Sequence, residues 1–157
     1  MGYRDNIEDF LNVMTSKTFI KNAIVDKGTK TLFIYYYSSF EEYIELNPFS
    51  KVVKEQYIDY FGTGDKIEKI VVLEPARILR DFKDIEKVCI NLNYQGVFYE
   101  AEVDRDKLND LIGFNISDLS PDNDSWRVRF SDVYGYGIEN NQRRILFNHF
   151  IKINNNI

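Results

Sequence analysis

Histidine and cysteine are almost absent from this chain of 157 residues, which has one of each, His149 and Cys89. A zinc site built from the usual nitrogen and sulfur ligands needs four such side chains, so one chain alone does not supply it. A single cysteine forms no disulfide within the chain, which favours a reducing, cytoplasmic environment. The sequence therefore predicts no cofactor, and the side chains most often used in acid–base and nucleophilic catalysis are scarce.

Long apolar runs are also lacking. The longest, from Leu32 to Tyr37, is too short to cross a bilayer, and the polar, acidic first nine residues do not resemble a secretion signal. We therefore expect no association with a membrane. The length is that of one domain, which we place at residues 1–153, followed by a frayed, asparagine-rich tail at 154–157.

Acidic residues outnumber basic ones, 25 to 20, and the excess lies in the middle of the chain. Between residues 98 and 124 only Arg105 and Lys107 oppose eight acids: Glu100, Glu102, Asp104, Asp106, Asp110, Asp118, Asp122 and Asp124. After residue 125 the bases are in the majority. Because binding to phosphates normally needs a basic face, we expect no direct binding to nucleic acid.

Aromatic residues are abundant, with 12 Phe, 11 Tyr and 1 Trp, and three tyrosines are consecutive at Tyr35, Tyr36 and Tyr37. On a strand, neighbouring side chains point to opposite faces, so at least one ring lies on each face. Tyrosine is enriched at protein interfaces. Base stacking is a rival use, but it normally requires a positive groove. A tyrosine-rich sheet covered by helices would explain the run equally well.

The apolar periodicity predicts mixed helices and strands in the first half of the chain. Ile7, Phe10, Leu11 and Met14 have helical spacing, and Asp5 is placed to cap this first helix. The next predicted elements are a hairpin of Thr18–Val25 and Thr31–Tyr37 and a helix capped by Ser39. A second helix is capped by Asn47, has Pro48 at its first position and ends at Gly62. A strand at Ile67–Leu73, broken by Glu74-Pro75, and one or two helical turns from Ile78 to Ile85 complete this half.

The second half contains the clearest hairpin, because two alternating runs, Val88–Tyr94 and Val97–Val103, flank the turn residues Gln95-Gly96. The remaining predicted elements are a helix capped by Asp104 and closed by Gly113, a loop at Asn115–Ser125, a strand over Trp126–Phe130, and a segment at 138–153 that fits a helix or a strand equally well. Hairpins mixed with helices, without a repeated βαβ order, predict an α+β domain with a mainly antiparallel sheet and three to five helices packed against it.

The candidate chemical groups have simpler explanations. His149 lies in an apolar stretch. Cys89 lies on the polar phase of an alternating strand and has no second cysteine, and a thiol nucleophile would need a cationic neighbour to lower its pKa. The loop acids Asp118, Asp122 and Asp124 lack the glycine and distal glutamate of an EF-hand loop. Gly62-Thr63-Gly64 follows a predicted helix and has no GKS or GKT sequel, so it does not form a P-loop.

Three classes of function remain. The one we favour is a non-enzymatic, protein-binding inhibitor of the immunity, antitoxin or phage anti-defence type, whose eight mid-chain acids and Tyr35, Tyr36 and Tyr37 would contact a basic cleft of a nuclease or another nucleic-acid-handling enzyme. Codons for the abundant Asn, Ile and Lys are AT-rich, which fits a low-GC bacterium or its phage. The alternatives are a metal-dependent hydrolase using acids such as Glu100 and Glu102, and a small-molecule or nucleotide sensor with an aromatic pocket.

Overall fold

Five strands form one sheet in the order β1-β2-β3-β4-β5. The computed structural model describes residues 7–14, 16–63 and 65–155, with side chains through residue 152. The strands are β1 (Ile20–Asp26), β2 (Thr31–Tyr36), β3 (Lys87–Tyr94), β4 (Val97–Asp104) and β5 (Ile151–Asn155). Only the β2–β3 pair is parallel; the other three pairs are antiparallel. The predicted α+β class with a mainly antiparallel sheet is therefore confirmed.

Seven α-helices occur within the described ranges, where the sequence predicted three to five. They are α1 (Ile7–Val13), α2 (Phe40–Leu46), α3 (Lys54–Gly62), α4 (Lys66–Asp81), α5 (Arg105–Ile112), the three-residue α6 (Asp132–Tyr134) and α7 (Asn141–Phe150). A π-helical segment, Arg127–Ser131, leads into α6. Measured against the thickness of a bilayer core, each helix in these ranges is too short or too polar to span it.

The core lies on one side of the sheet. Alternation places Leu32 and Ile34 of β2 on the same face as Val88 and Ile90 of β3, and all four side chains are fully buried. The central helix α4 contacts β3 and contributes more buried apolar side chains than any other described helix, among them Ile70, Val71, Val72, Leu73, Ala76, Ile78 and Leu79. The molecule thus has a layer of helices on one face of its sheet.

Local turn and cap signals are confirmed at three places. Gln95 and Gly96 both have positive φ, 49° and 79°, as a two-residue type I′ hairpin turn requires. Asp104 caps α5, and Gly113 ends it in the left-handed region at φ 87°. Ser39 caps α2 by accepting a hydrogen bond from the Glu42 amide. The predicted cap of the first helix, Asp5, lies outside the described residues.

The predicted strand at Ile67–Leu73 is wrong, because these residues form the first half of α4, which continues through Pro75. The apolar residues Ile67, Ile70 and Val71 have the i, i+3, i+4 spacing of a helix, but four consecutive apolar residues at 70–73 followed by Glu74-Pro75 also resemble a short buried strand. Proline removes one backbone donor but does not end a helix that is packed on several sides.

Two other predictions are also wrong. Asn47 does not start a helix; its side-chain amide donates to the Tyr43 carbonyl at the end of α2, and α3 starts only at Lys54. The predicted strand at Trp126–Phe130 is helical. Trp126 and Phe130, four residues apart, stack with ring centroids 4.7 Å apart, while Val128 between them is exposed.

The ambiguous C-terminal segment contains both predicted structures, since α7 ends at Phe150 and β5 begins at the next residue. Strand β5 continues through Asn154 and Asn155, which pair with Phe98 and Val97 of β4. Backbone pairing therefore extends into half of the segment for which the sequence predicted a frayed tail.

Candidate functional site

The side of the sheet turned away from the helices carries a mixed aromatic and polar surface, which we call the open face. Its residues are Asn22, Ile24, Phe33, Tyr35, Cys89, Asn91, Asn93, Phe98, Glu100 and Glu102, and each is half-buried or exposed. The aromatic side chains Phe33, Tyr35 and Phe98 are not among those packed against the core. Large apolar side chains grouped on a solvent-facing surface are typical of an interaction site.

The strand register brings distant parts of the sequence into rows across the open face. Tyr35 is paired with Asn91, which is paired with Glu100. One step along, Phe33, Cys89 and Glu102 form the next row. Because neighbouring strands lie about 4.8 Å apart, the Cα atoms of Tyr35 and Glu100 are roughly 10 Å apart. Three residues of the contact surface expected from the sequence thus lie on one surface.

The structure separates the three consecutive tyrosines. Tyr36 has only 4% of its surface exposed, and its hydroxyl is 2.7 Å from the hydroxyl of Ser16. Burial, and secondarily the charge of Glu74, raises the pKa of Tyr36 well above its usual value. The prediction that Tyr36 contacts a partner is therefore wrong, because strand alternation turns its ring into the core.

Tyr37 and Tyr35 have different environments. The ring of Tyr37 packs edge-on against Tyr43, and its hydroxyl accepts a hydrogen bond from the Asn47 side chain. Tyr35 is half-buried between neighbouring side chains of the open face. Of the three tyrosines, Tyr35 is the one placed on the open face.

The other predicted contact acids lie on different elements. Asp104 accepts hydrogen bonds from the amides of Asp106 and Lys107, so its carboxylate serves as the N-cap of α5. The remaining acids are exposed either on α5, where Asp106 and Asp110 lie, or in the segment after it, where Asp118, Asp122 and Asp124 lie. The eight acids are therefore divided among β4, α5 and a loop.

Several of these carboxylates have a basic neighbour. Glu102 forms an ion pair of 2.6 Å with Lys87, and this hydrogen bond raises the pKa of the lysine. Asp124 lies 3.4 Å from Arg127, and Glu100 is paired in register with Lys152. The negative potential at these sites is consequently weaker than the count of acids in the sequence suggests.

The groups considered for catalysis are poorly arranged for it. Burial is the main cause that raises the pKa of the Cys89 thiol from 9.0 to about 11, so this side chain is a neutral thiol at pH 7. His149 is exposed, and its backbone carbonyl accepts a hydrogen bond from Lys107. Across residues 7–14, 16–63 and 65–155, no group of three or more His, Cys, Asp or Glu side chains is arranged to hold a metal ion.

Phe33 and Phe98 belong to the open face but were not predicted as contact residues. The signal that would have found them is the strand phase: Phe33 has the same parity as Tyr35, and Phe98 the same parity as Glu100.

Comparison with known proteins adds no functional assignment: no protein-family model, no curated protein and no solved structure matches the chain. The interpretation of the site therefore depends on its own geometry and charge.

Proposed function

We propose that this chain is a non-enzymatic, protein-binding protein of the inhibitor type, and that it contacts its partner through the open face. The observation that carries the proposal is the position of Phe33, Tyr35 and Phe98 beside Glu100 and Glu102 on a sheet face that the helices leave uncovered. Aromatic side chains supply large, rigid contact area at low entropic cost, and a few such anchors dominate many interfaces.

The chemistry of the partner is inferred from charge. The chain has a net charge of −5, and Glu100 and Glu102 lie beside the aromatic side chains of the open face, Glu100 paired in register with Lys152 and Glu102 ion-paired with Lys87. A partner with a basic surface, such as a nucleic-acid-handling enzyme, would be attracted by this charge and could replace Lys87 in its exposed ion pair with Glu102. A cytoplasmic location and the absence of direct binding to nucleic acid are parts of the same proposal.

Paired substitutions test the proposal in a pull-down from the native host. The tagged chain is compared with a Tyr35→Ala plus Phe98→Ala variant and with a control, Phe49→Ala plus Tyr136→Ala. The control removes two aromatic rings that are 95% and 79% exposed and lie off the sheet. We expect one stoichiometric protein that the control retains and the open-face variant binds at least about 10-fold more weakly, the loss typical of an aromatic anchor.

A second comparison tests the role of charge. A Glu100→Gln plus Glu102→Gln variant and an Asp106→Asn plus Asp110→Asn variant lose the same charge from different elements. The first should weaken binding and reduce its dependence on salt, while the second should change both much less. Retention of the same partner by both open-face variants, or capture of nucleic acid in place of protein, would refute the proposal.

A further inference from the structure

A cavity of about 570 Å³ opens on the helical side of the molecule, near the Gln95-Gly96 turn. It lies between α3, the first turn of α4, α7 and the β3–β4 hairpin, each of which contributes side chains to its lining. The volume is in the range of small-molecule sites, roughly 300–1,000 Å³. About half of the lining is apolar, and four aromatic rings contribute to it, two from α3 and α7 and two from the β3–β4 hairpin.

Glu68 is the charged side chain of this lining, and 94% of its surface is buried. Its two carboxylate oxygens accept hydrogen bonds from the Nε atoms of Arg143, at 3.0 Å, and Arg144, at 3.3 Å. These contacts fix the orientation of the carboxylate. Each oxygen can accept a further hydrogen bond, so Glu68 remains able to bind a donor in the cavity.

The other polar atoms of the cavity also favour a ligand that carries hydrogen-bond donors. The hydroxyl of Tyr94 donates its hydrogen to the Ile58 carbonyl, at 3.1 Å, which leaves the phenol oxygen as an acceptor. Gln95 contributes an amide that can donate or accept. Among the described residues of the lining there is no lysine or arginine, and the nearest arginines, Arg143 and Arg144, are both bound to Glu68, so a phosphate would have to compete with this carboxylate for them.

From this pattern we propose that the cavity is a ligand site for a planar heteroaromatic base that carries N–H donors and no phosphate, the chemistry of a purine base or nucleoside. The half-buried rings of Tyr99 and Phe147 supply the stacking surface, and the buried rings of Phe61 and Tyr94, which pack against each other, add apolar lining. Glu68 accepts hydrogen bonds from the N–H edge of the base. The site is separate from the open face, since its residues belong to the opposite side of the sheet and to helices. It requires no chemical step, only binding.

Thermal unfolding of the full chain in the presence of adenine, guanosine and adenosine tests this proposal. At a concentration near ten times the dissociation constant, a ligand of this class should raise the Tm by about 3 °C or more. The same nucleosides carrying a 5′-monophosphate should give a smaller shift. No shift with any of the unphosphorylated bases up to millimolar concentration, or a larger shift with the monophosphates, would overturn it.

Two variants locate the binding. Val97→Trp places a large ring at a half-buried position in the lining and should abolish the ligand-induced shift. Val128→Trp adds the same ring at an exposed position outside the cavity and should leave the shift unchanged. Glu68→Gln removes the charge, and isothermal calorimetry on the folded variant should show at least a 10-fold weaker affinity. A ligand shift that survives Val97→Trp would show that the base binds elsewhere, and the proposal would be wrong.

Discussion

Replacing Arg143 by leucine should destabilise the fold far more than the same replacement of its neighbour Arg144. The guanidinium of Arg143 is completely buried, whereas the side chain of Arg144 is 57% exposed, yet both bind the carboxylate of Glu68. Arg143 also donates hydrogen bonds to the backbone carbonyls of Tyr134, Gly137 and Ile138, at 3.2, 3.2 and 2.9 Å. The arginine therefore holds the segment before α7 against α4.

The expected loss of stability follows from the burial of the Arg143–Glu68 ion pair. Removing one partner of a buried ion pair typically costs about 3–5 kcal/mol, because the other charge and its hydrogen-bonded neighbours lose their partners. Because the side chain of Arg144 is 57% exposed and Glu68 keeps its bond to Arg143, we expect the loss of Arg144 to cost no more than about 1 kcal/mol. For a chain of this size, the Arg143→Leu variant should lose roughly 6–20 °C in Tm, and a fold of average stability would keep only part of its unfolding free energy.

Urea unfolding followed by fluorescence gives the measurement, since Trp126 is the single tryptophan and is buried in the native state. The coupling is checked with Glu68→Gln alone and together with Arg143→Leu: if the pair acts as a unit, the double variant costs less than the sum of the single variants. Equal losses for Arg143→Leu and Arg144→Leu, or a loss below about 1 kcal/mol for Arg143→Leu, would refute this reasoning.

Two further results are expected. Asp104→Ala should lower the free energy of unfolding by about 1 kcal/mol, because the variant loses the cap of α5. The control Asp110→Ala should be nearly neutral in the same urea titration. Equal changes in unfolding free energy for the two variants would mean that the cap contributes nothing. At pH 8 iodoacetamide should alkylate Cys89 about 100-fold more slowly in the native chain than in urea, because the pKa is raised from 9.0 to about 11. Equal alkylation rates in the two states would contradict the burial of the thiol. The contribution of the raised thiol pKa to the free energy of unfolding is complete below pH 9 and is lost as the pH rises through 11.

The sequence predicted best those elements whose signals are local. The β3–β4 hairpin was readable because an alternating pattern meets the turn residues Gln95-Gly96, and α5 because Asp104 and Gly113 mark its two ends. The central helix α4 was missed for the opposite reason. Its four consecutive apolar residues at 70–73 are as typical of a short buried strand as of a helix, and Pro75 suggested an end that tertiary packing overrides.

The candidate site was predictable only in part, because its surface depends on strand register. The sequence placed Glu100 and Glu102 on one face of a strand, but not beside Tyr35, which is 65 positions away from Glu100 along the chain. Closeness in sequence did not predict a shared surface either, because Asp118 to Asp124 follow Glu100 closely in the chain but lie in a loop beyond α5. The partners of Arg143 come from α4 and the segment before α7, and no local pattern indicates such a long-range contact.

The parallel pairing of β2 with β3 has a consequence for the order of folding. Residues 37–86, which include α2, α3 and α4, separate the two strands, whereas β1–β2 and β3–β4 are each closed by a short turn. Hairpins of this kind form within about 1–10 μs, but a pairing across so long a loop must first overcome the entropy of closing it. We therefore expect the two hairpins to appear early and the sheet to be completed late, when β2 pairs with β3 and α4 packs against the face of the sheet.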